Sequence, residues 1–289
     1  ALLGKPVVAD DGILDGQSCP ALGEIEDSFL KYFDQKAVSS RKESKAYQLK
    51  GTRIAPQYVR LTQGILRPGA FKSLAESCAS TVTEYSAALI ISAIYEMQLK
   101  GRGNRQPVKI SIPVNLRKHM ESNTLRNFSS YVNVGMTFDS GEYTFEQILE
   151  SVKEQLRNDV KREKLLEKIG ANVSAERSPF VRFAPLFLKN IALRTAYSLY
   201  GEKLVTTTLS NLGVVRVPDS MKSGIRRFDF ILGAPVLNAF SCAICTFEDS
   251  MTISFTRVME ETDIERYFFR FLAKKGLDIV IESNYGASL

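Results

Sequence analysis

Residues 107–118 read PVKISIPVNLRK, the most regular strand pattern in the first half of the chain. Apolar residues alternate with other residues from Val108 to Val114, which is the pattern of a strand that buries one face. Asn115 and Arg117 follow two positions apart, so we expect their side chains to project from the same face at the strand's end. An amide and a guanidinium at that place favour either a hydrogen-bonded turn or the wall of a polar site.

Helices and a second strand are predicted on both sides of this stretch. Pro68 is typical of a first helical position, and Thr83 is the expected N-cap of a helix over residues 84–99 that is apolar nearly all round. A short helix is expected at residues 24–34. Apolar spacing predicts three further elements, which are a strand at residues 131–138 and helices at 145–160 and 181–200.

In the second half of the chain, apolar residues recur at every second position. Alternation predicts four strands, at residues 205–209, 228–232, 239–247 and 251–258. The last two strands are joined by a three-residue turn, and an amphipathic helix over residues 264–275 follows them. Crossovers in the first half and a hairpin in the second predict an α/β (α+β) fold with a mixed, largely antiparallel sheet flanked by helices.

Composition excludes several classes of function. The 289 residues carry 38 Lys and Arg against 32 Asp and Glu, and the net charge of +6 is spread along the chain, so we expect no nucleic-acid partner. The single histidine, His119, excludes mechanisms that need two imidazoles. The sequence also lacks a GxSxG nucleophile, a phosphate-binding loop, an HExxH zinc motif and a dinucleotide fingerprint.

The cysteines are too sparse for a disulfide framework, which favours a reducing, cytoplasmic location. Cys242 and Cys245 have CxxC spacing, but they lie three positions apart on a predicted strand, so their sulfurs are expected on opposite faces. We therefore predict buried structural cysteines and no metal site. The acidic residues Asp10, Asp11 and Asp15 lack calcium-loop spacing and are expected to be solvated.

The uncharged run at residues 230–247 has the length of a membrane span, but Gly233 and Pro235 interrupt it. We therefore predict buried strands there and no membrane span. A second group of polar residues at a strand end, besides Asn115 and Arg117, lies at residues 206–213, which read TTTLSNLG. There the chain leaves a predicted strand through Ser210 and Asn211. Either turn capping or a ligand channel would explain such a pair. The two polar groups together, at Asn115/Arg117 and at Ser210/Asn211, favour the channel.

Residues 113–118, followed by Asn127 and the run YVNVG at residues 131–135, resemble the strand motif of the CoA-dependent acyltransferase superfamily. That superfamily includes condensation domains of peptide synthetases, wax-ester synthases and bacterial alcohol acetyltransferases. Further segments agree with it in order and spacing, at residues 27–32, 79–85 and 209–213. The resemblance implies a chloramphenicol-acetyltransferase-like lobe.

The resemblance also implies a chemistry, which is acyl transfer from a coenzyme A thioester such as acetyl-CoA to a small alcohol or amine acceptor. Members carry an HHxxxDG motif that supplies the base, and this sequence has none. Ser210 and Asn211 are then candidate oxyanion or tunnel donors, and Asn115, Arg117 and Asn133 are candidate substrate-binding residues.

These inferences predict that residues 1–46 form a connector and the end of an N-terminal lobe, and that residues 47–289 form the C-terminal lobe. The chain by itself is then expected to be inactive, to need the N-terminal lobe as its partner, and to self-associate through its open face. Two alternatives remain at this point. One is a non-catalytic binding or assembly module with the same fold, and the other is a complete small enzyme that uses His119 as its base.

Overall fold

The computed structural model describes residues 19–34, 43–55, 58–177, 185–187, 189–190, 202–233 and 238–285. The strands within these ranges are β1 (Arg60–Leu66), β2 (Val108–Asn115), β3 (Ser129–Met136), β4 (Thr207–Val214), β5 (Phe240–Phe247), β6 (Ser250–Arg257) and β7 (Ile279–Ser283). The named α-helices are α1 (Leu22–Ile25), α2 (Ser28–Lys31), α3 (Pro68–Ser77), α4 (Val82–Ile94), α5 (Phe145–Asp159), α6 (Arg162–Arg177), α7 (Asp219–Lys222) and α8 (Asp263–Lys274).

The seven strands form one sheet in the order β3-β2-β4-β5-β6-β1-β7. The pairs β2–β4 and β4–β5 are parallel. The other four neighbouring pairs are antiparallel. This arrangement confirms the prediction of an α/β fold with a mixed, largely antiparallel sheet.

Helices α4, α5 and α8 pack against one face of the sheet, and the main hydrophobic core lies between them. The rings of Phe255 on β6 and Phe268 on α8 meet edge to face at 5.1 Å. Gly64 on β1 provides room for Phe269, because a Cβ atom at Gly64 would lie 2.2 Å from the Phe269 ring. Helix α4 is buried along almost its whole length, as its apolar sequence predicts.

The N-cap of α4 is Thr81, two residues before the expected N-cap. The hydroxyl of Thr81 accepts from the Glu84 N–H, and the Thr81 N–H donates back to the Glu84 carboxylate at 2.7 Å. Arg157 on α5 donates to the same carboxylate through Nε at 2.7 Å. The expectation that Thr83 caps the helix was therefore wrong, because the capping box between Thr81 and Glu84 satisfies free N–H groups two residues earlier.

Other elements also differ from the sequence-based expectation. Residues 228–232 form no strand, and the predicted helix at 24–34 is two short helices, α1 and α2. The strand expected at 205–209 begins at Thr207 and continues to Val214. Of the helix predicted over 181–200, residues 186–187 and 189–190 are helical, Pro185 is not, and the other residues lie outside the described ranges.

Helix α6 and strand β7 were not predicted, because neither has clean periodicity. Among the described residues, no single helix has the length and apolar composition needed to cross a bilayer. Helix α3 and the helical run from Val82 to Leu99 reach that length and composition only together, across a bend of 78°.

Candidate functional site

The two faces of the sheet differ sharply in chemistry. The pairing register places Ser210 beside Ala243, Ala243 opposite Ser254, and Ser254 opposite Gln63, so all four side chains share one face. This face lies opposite the helices, and we call it the polar face. The members of the polar face that the argument uses are Gln63, Ser111, Asn133, Thr208, Ser210, Ser241, Ala243, Cys245, Thr252, Ser254 and Thr256.

Ser210 lies near the middle of β4, within this polar face. Its side chain is half-buried, and within the described residues no partner is found for its hydroxyl. The hydroxyl is therefore free to donate a hydrogen bond to a ligand above the sheet.

Asn211 is the next residue of β4, and its side chain points to the opposite face. Its Nδ2 donates to the hydroxyl of Thr83 on α4 at 3.0 Å, and its Oδ1 accepts from the Gly213 N–H at 2.9 Å. A bulge follows between Asn211 and Gly213, where Gly213 has a φ of 79°. Ser210 and Asn211 thus do not act as a pair at a strand end, because the strand runs on past them and its alternation separates them.

The structure places Asn115 and Arg117 at a turn. The Asn115 Oδ1 accepts from the Arg117 N–H at 3.1 Å and caps a 3-10 turn at Leu116–Lys118. The guanidinium of Arg117 donates to the backbone carbonyls of Thr124 and Arg126. Both side chains therefore hold the loop between β2 and β3 in place. Of the two interpretations that the sequence allowed for Asn115 and Arg117, this geometry matches the hydrogen-bonded turn.

Asn133 lies on the polar face of β3, opposite Ser111. Its Nδ2 donates to the carboxylate of Glu43 at 2.7 Å, whereas its buried Oδ1 has no partner among the described residues. Nearby, Lys109 donates to the carbonyl of Ser44 at 2.7 Å, and burial lowers the pKa of its ammonium group. The segment around residues 43–44 therefore covers the β2–β3 end of the polar face.

Three hydroxyl residues of β6 were missed by the sequence analysis. Thr252, Ser254 and Thr256 alternate along the strand, and each is at most 1% exposed. The Nε2 of Gln63 donates to Ser254 at 3.1 Å, but within the described part of the chain the Thr252 and Thr256 hydroxyls have no partner. The alternation of hydroxyl and apolar residues in MTISFT at 251–256 was the signal that could have found them.

Residues 225–233 cross part of the polar face without forming a strand. The ring of Phe228 packs edge to face on Phe247 at 5.1 Å, and the Cys245 thiol donates to the Phe228 carbonyl. The guanidinium of Arg227 donates to the carboxylate of Glu282 on β7 at 2.6 Å, and this hydrogen bond raises the pKa of the guanidinium. The segment is therefore anchored on both β5 and β7.

The CxxC pair is buried and lies on opposite faces, as predicted. Cys242 faces the helices opposite Phe255, and Cys245 lies opposite Thr252 on the polar face. Burial raises the pKa of both thiols, which keeps them protonated and unreactive. Asp10, Asp11 and Asp15 lie outside the described residues.

His119 follows the 3-10 turn at Leu116–Lys118, and its side chain is half-buried. Within the described ranges, no side chain makes a hydrogen bond to its imidazole, so no carboxylate orients it as a base. Leu212 and Val214 close β4 with exposures of 59% and 65%, which leaves apolar surface beside the polar face.

Comparison with known proteins finds solved structures with a similar fold. No family model matches the chain, and no curated protein matches it. Similar solved structures include the trichothecene 15-O-acetyltransferase from Fusarium sporotrichioides, with 12% identity over 78% of this chain and 48% of that chain, at a TM-score of 0.53. The nonribosomal peptide synthetase FmoA3 matches with 11% identity over 89% of this chain and 24% of that chain, at a TM-score of 0.52.

The epimerization domain from the third module of tyrocidine synthetase B matches with 12% identity over 87% of this chain and 56% of that chain, at a TM-score of 0.50. At this level of identity the likeness establishes the fold alone. The chain spans about half the length of the acetyltransferase and of the epimerization domain that it matches.

Proposed function

Because the chain has the fold of the CoA-dependent acyltransferase superfamily, we propose that it forms the C-terminal lobe of an acyltransferase. The proposed reaction moves an acyl group, acetyl in the simplest case, from a CoA thioester to an alcohol or amine. The observation that carries this proposal is the half-buried Ser210 hydroxyl, which lies free of partners among the described residues on a face lined by small polar side chains.

The proposed reaction needs two protein groups. A base removes the proton of the acceptor O–H or N–H while the acceptor atom bonds to the thioester carbonyl carbon, and a donor stabilises the negative charge that develops on the carbonyl oxygen. The carbon–sulfur bond then breaks, and the CoA sulfur takes up the proton. The products are an ester or amide and free CoA.

We assign the donor role to Ser210 and give Asn211 a positioning role. Ser210 has an O–H group free to donate, whereas both polar groups of Asn211 already bind Thr83 and Gly213. Within the part of the chain that the structure describes, no histidine or carboxylate lies on the polar face near Ser210 in the register. The base therefore belongs to the N-terminal lobe in this proposal.

The proposal is tested by CoA release from acetyl-CoA in the full-length protein, with a panel of alcohols and amines. Ser210→Ala is expected to lower kcat about 100-fold, because loss of one oxyanion donor typically costs about 3 kcal/mol. The KM for acetyl-CoA is expected to stay the same. Ser129→Ala, an exposed serine on β3, is the matched control and should leave kcat unchanged. A loss smaller than about tenfold removes Ser210 from the mechanism.

The alternative of a non-catalytic binding or assembly module is favoured by one observation. The one imidazole of the chain, His119, has no orienting partner among the described residues, so this lobe alone offers no assembled base. If the full-length protein releases no CoA with any acceptor, the module replaces the enzyme as the proposed function.

A further inference from the structure

A cavity of about 170 Å³ lies at the end of β6, where β5, the start of α8 and residues 49–50 also line it. Apolar side chains form much of its wall, among them Leu49, Phe240 and Ile264. A cavity of about 150 Å³ with an apolar lining is large enough to hold benzene. This cavity therefore has the size to hold one small molecule.

A buried guanidinium belongs to the lining of this cavity. Arg257 is 1% exposed, and alternation along β6 places it on the helix-covered face. Its Nε donates to the carboxylate of Glu265 on α8 at 2.6 Å, and its Nη1 donates to the carbonyls of Met259 and Glu260. The ring of Tyr285 covers one face of the guanidinium, with its centroid 4.6 Å from the central carbon.

The Nη2 group of Arg257 makes none of these hydrogen bonds. It is buried, and the described residues provide no acceptor for it. Buried donors without a partner are rare, because they lose their bonds to water and gain nothing in return. The ion pair with Glu265 ties α8 to β6, but it uses only Nε, and apolar residues often replace buried ion pairs without loss of stability. A ligand in the cavity would supply the acceptor that Nη2 lacks.

Another part of the wall comes from an uncommon helical turn. Helix α4 runs into a π-helical turn at Tyr95–Leu99, and such turns are rare and occur frequently at functional sites. Met97 and Gln98 of this turn line the cavity. The side chain of Gln98 binds both the N–H and the carbonyl of Lys50, at 3.0 and 2.8 Å. Hydrogen bonds therefore fix this wall before a ligand binds, which lowers the cost of binding.

We infer that this cavity binds a small neutral molecule with an apolar body and a carbonyl oxygen that accepts a hydrogen bond from Nη2 of Arg257. A carboxylate fits less well, because Glu265 already neutralises the guanidinium. Among the exposed residues that line the cavity, Glu261 and Asp263 also outnumber Lys50. The cavity lies on the helix-covered side of the sheet, so the inference does not depend on the acyl transfer proposed for the polar face.

Methionine methyl groups report binding directly, because Met97 and Met259 line the cavity. The full-length protein, labelled with 13C at these methyl groups, is titrated with benzamide, toluene and benzoate. Benzamide should shift both signals, with a Kd at least about tenfold below those of toluene and benzoate, since a hydrogen bond from a charged donor is worth about that factor or more. Met120 and Met136 lie outside the lining and are internal controls. No shift, equal affinity for toluene, or tighter binding of benzoate overturns the inference.

Two variants separate the space in the cavity from the donor group. Ala239→Leu adds volume at a lining residue and should weaken benzamide and toluene alike, by at least about tenfold. Ala273→Leu, at an exposed position of α8, is the matched control and should change neither affinity. Arg257→Lys keeps a positive charge beside Glu265 but removes Nη2, so it should abolish the preference for benzamide over toluene. Benzamide binding that survives Ala239→Leu overturns the inference, whether or not Arg257→Lys folds and whether or not the protein releases CoA.

Discussion

The hairpin of β5 and β6 presents two different surfaces from one backbone. Facing the helices, Ile244 lies opposite Ile253, and both are fully buried in the main core. On the polar face, Ala243 lies opposite Ser254, one position away along each strand. Because the backbone hydrogen bonds serve both faces alike, the difference lies in the side chains alone. The helix-covered face supplies the apolar burial that holds the fold together, and the polar face of the hairpin carries small side chains beneath residues 228–233.

The largest expected difference between the faces is in stability. Phe255→Ala on the helix-covered face should lower the free energy of unfolding by about 4 kcal/mol, because it leaves a cavity among Phe240, Phe268 and Phe269. Ser254→Ala, the neighbouring residue on the polar face, should lower it by about 1 kcal/mol through loss of the Gln63 hydrogen bond. Urea denaturation of both variants measures this contrast, and equal losses would show that the polar face carries as much of the fold as the core.

The second comparison uses two consecutive residues of β4. Asn211→Ala should cost about 2 kcal/mol of stability, because it removes the hydrogen bonds to Thr83 on α4 and to the bulge at Gly213. Ser210→Ala should change stability by less than about 0.5 kcal/mol, since its hydroxyl binds nothing among the described residues. Thermal unfolding of the two variants gives the measurement. A reversed order would place Asn211, and not Ser210, on the binding face.

Those two residues also show where sequence reasoning succeeded and where it failed. The sequence placed a polar site on Ser210 and Asn211, and Ser210 does lie on the polar face. The same alternation argument that correctly separated Cys242 from Cys245 was not applied to this pair, because the strand was expected to end at residue 209. A bulge with a positive φ at Gly213 lets the strand continue, and the alternation of residues 205–209 did not predict this continuation.

The order of the strands lay beyond any local pattern. β1 lies between β6 and β7 although it comes from a distant part of the chain, and only tertiary packing decides such pairing. Asn115 and Arg117 were correctly placed at the end of a strand, but Asn115 accepts from the Arg117 N–H, and Arg117 donates to backbone carbonyls of a loop that composition does not define. Amphipathic helices and alternating strands were predictable, and long-range hydrogen bonds were not.

The third test concerns the start of α4, which covers the apolar face. Burial raises the pKa of the Glu84 carboxyl, but hydrogen bonds from Arg157 and Thr81 outweigh burial and hold that pKa below its usual range. A lowered pKa contributes stability that is present above the unfolded-state pKa of about 4.5 and is lost as the pH falls through the folded-state value. The partly exposed Arg157 is screened by solvent, so the expected contribution is about 1 kcal/mol.

Glu84→Gln should therefore be less stable than the wild type at neutral pH, and the difference should shrink as the solution is acidified below the unfolded-state pKa. Urea denaturation at neutral and acidic pH measures it. Glu163→Gln, a carboxyl in the first turn of α6, is the control. A gap that stays constant across the pH range would show that the carboxyl's shape, and not its charge, holds the start of α4.

The smallest expected changes in stability come from removing a buried threonine hydroxyl from each of the two faces. Thr207, facing the helices, donates to the carbonyl of Phe240 at 2.6 Å, whereas Thr256, on the polar face, has no partner among the described residues. Valine has nearly the same shape as threonine, so Thr256→Val should leave stability unchanged or raise it by up to about 1 kcal/mol, and Thr207→Val should lower it by about 1 to 2 kcal/mol. Thermal unfolding without added ligand measures both. If Thr256→Val loses as much as Thr207→Val, the Thr256 hydroxyl is already satisfied within the protein.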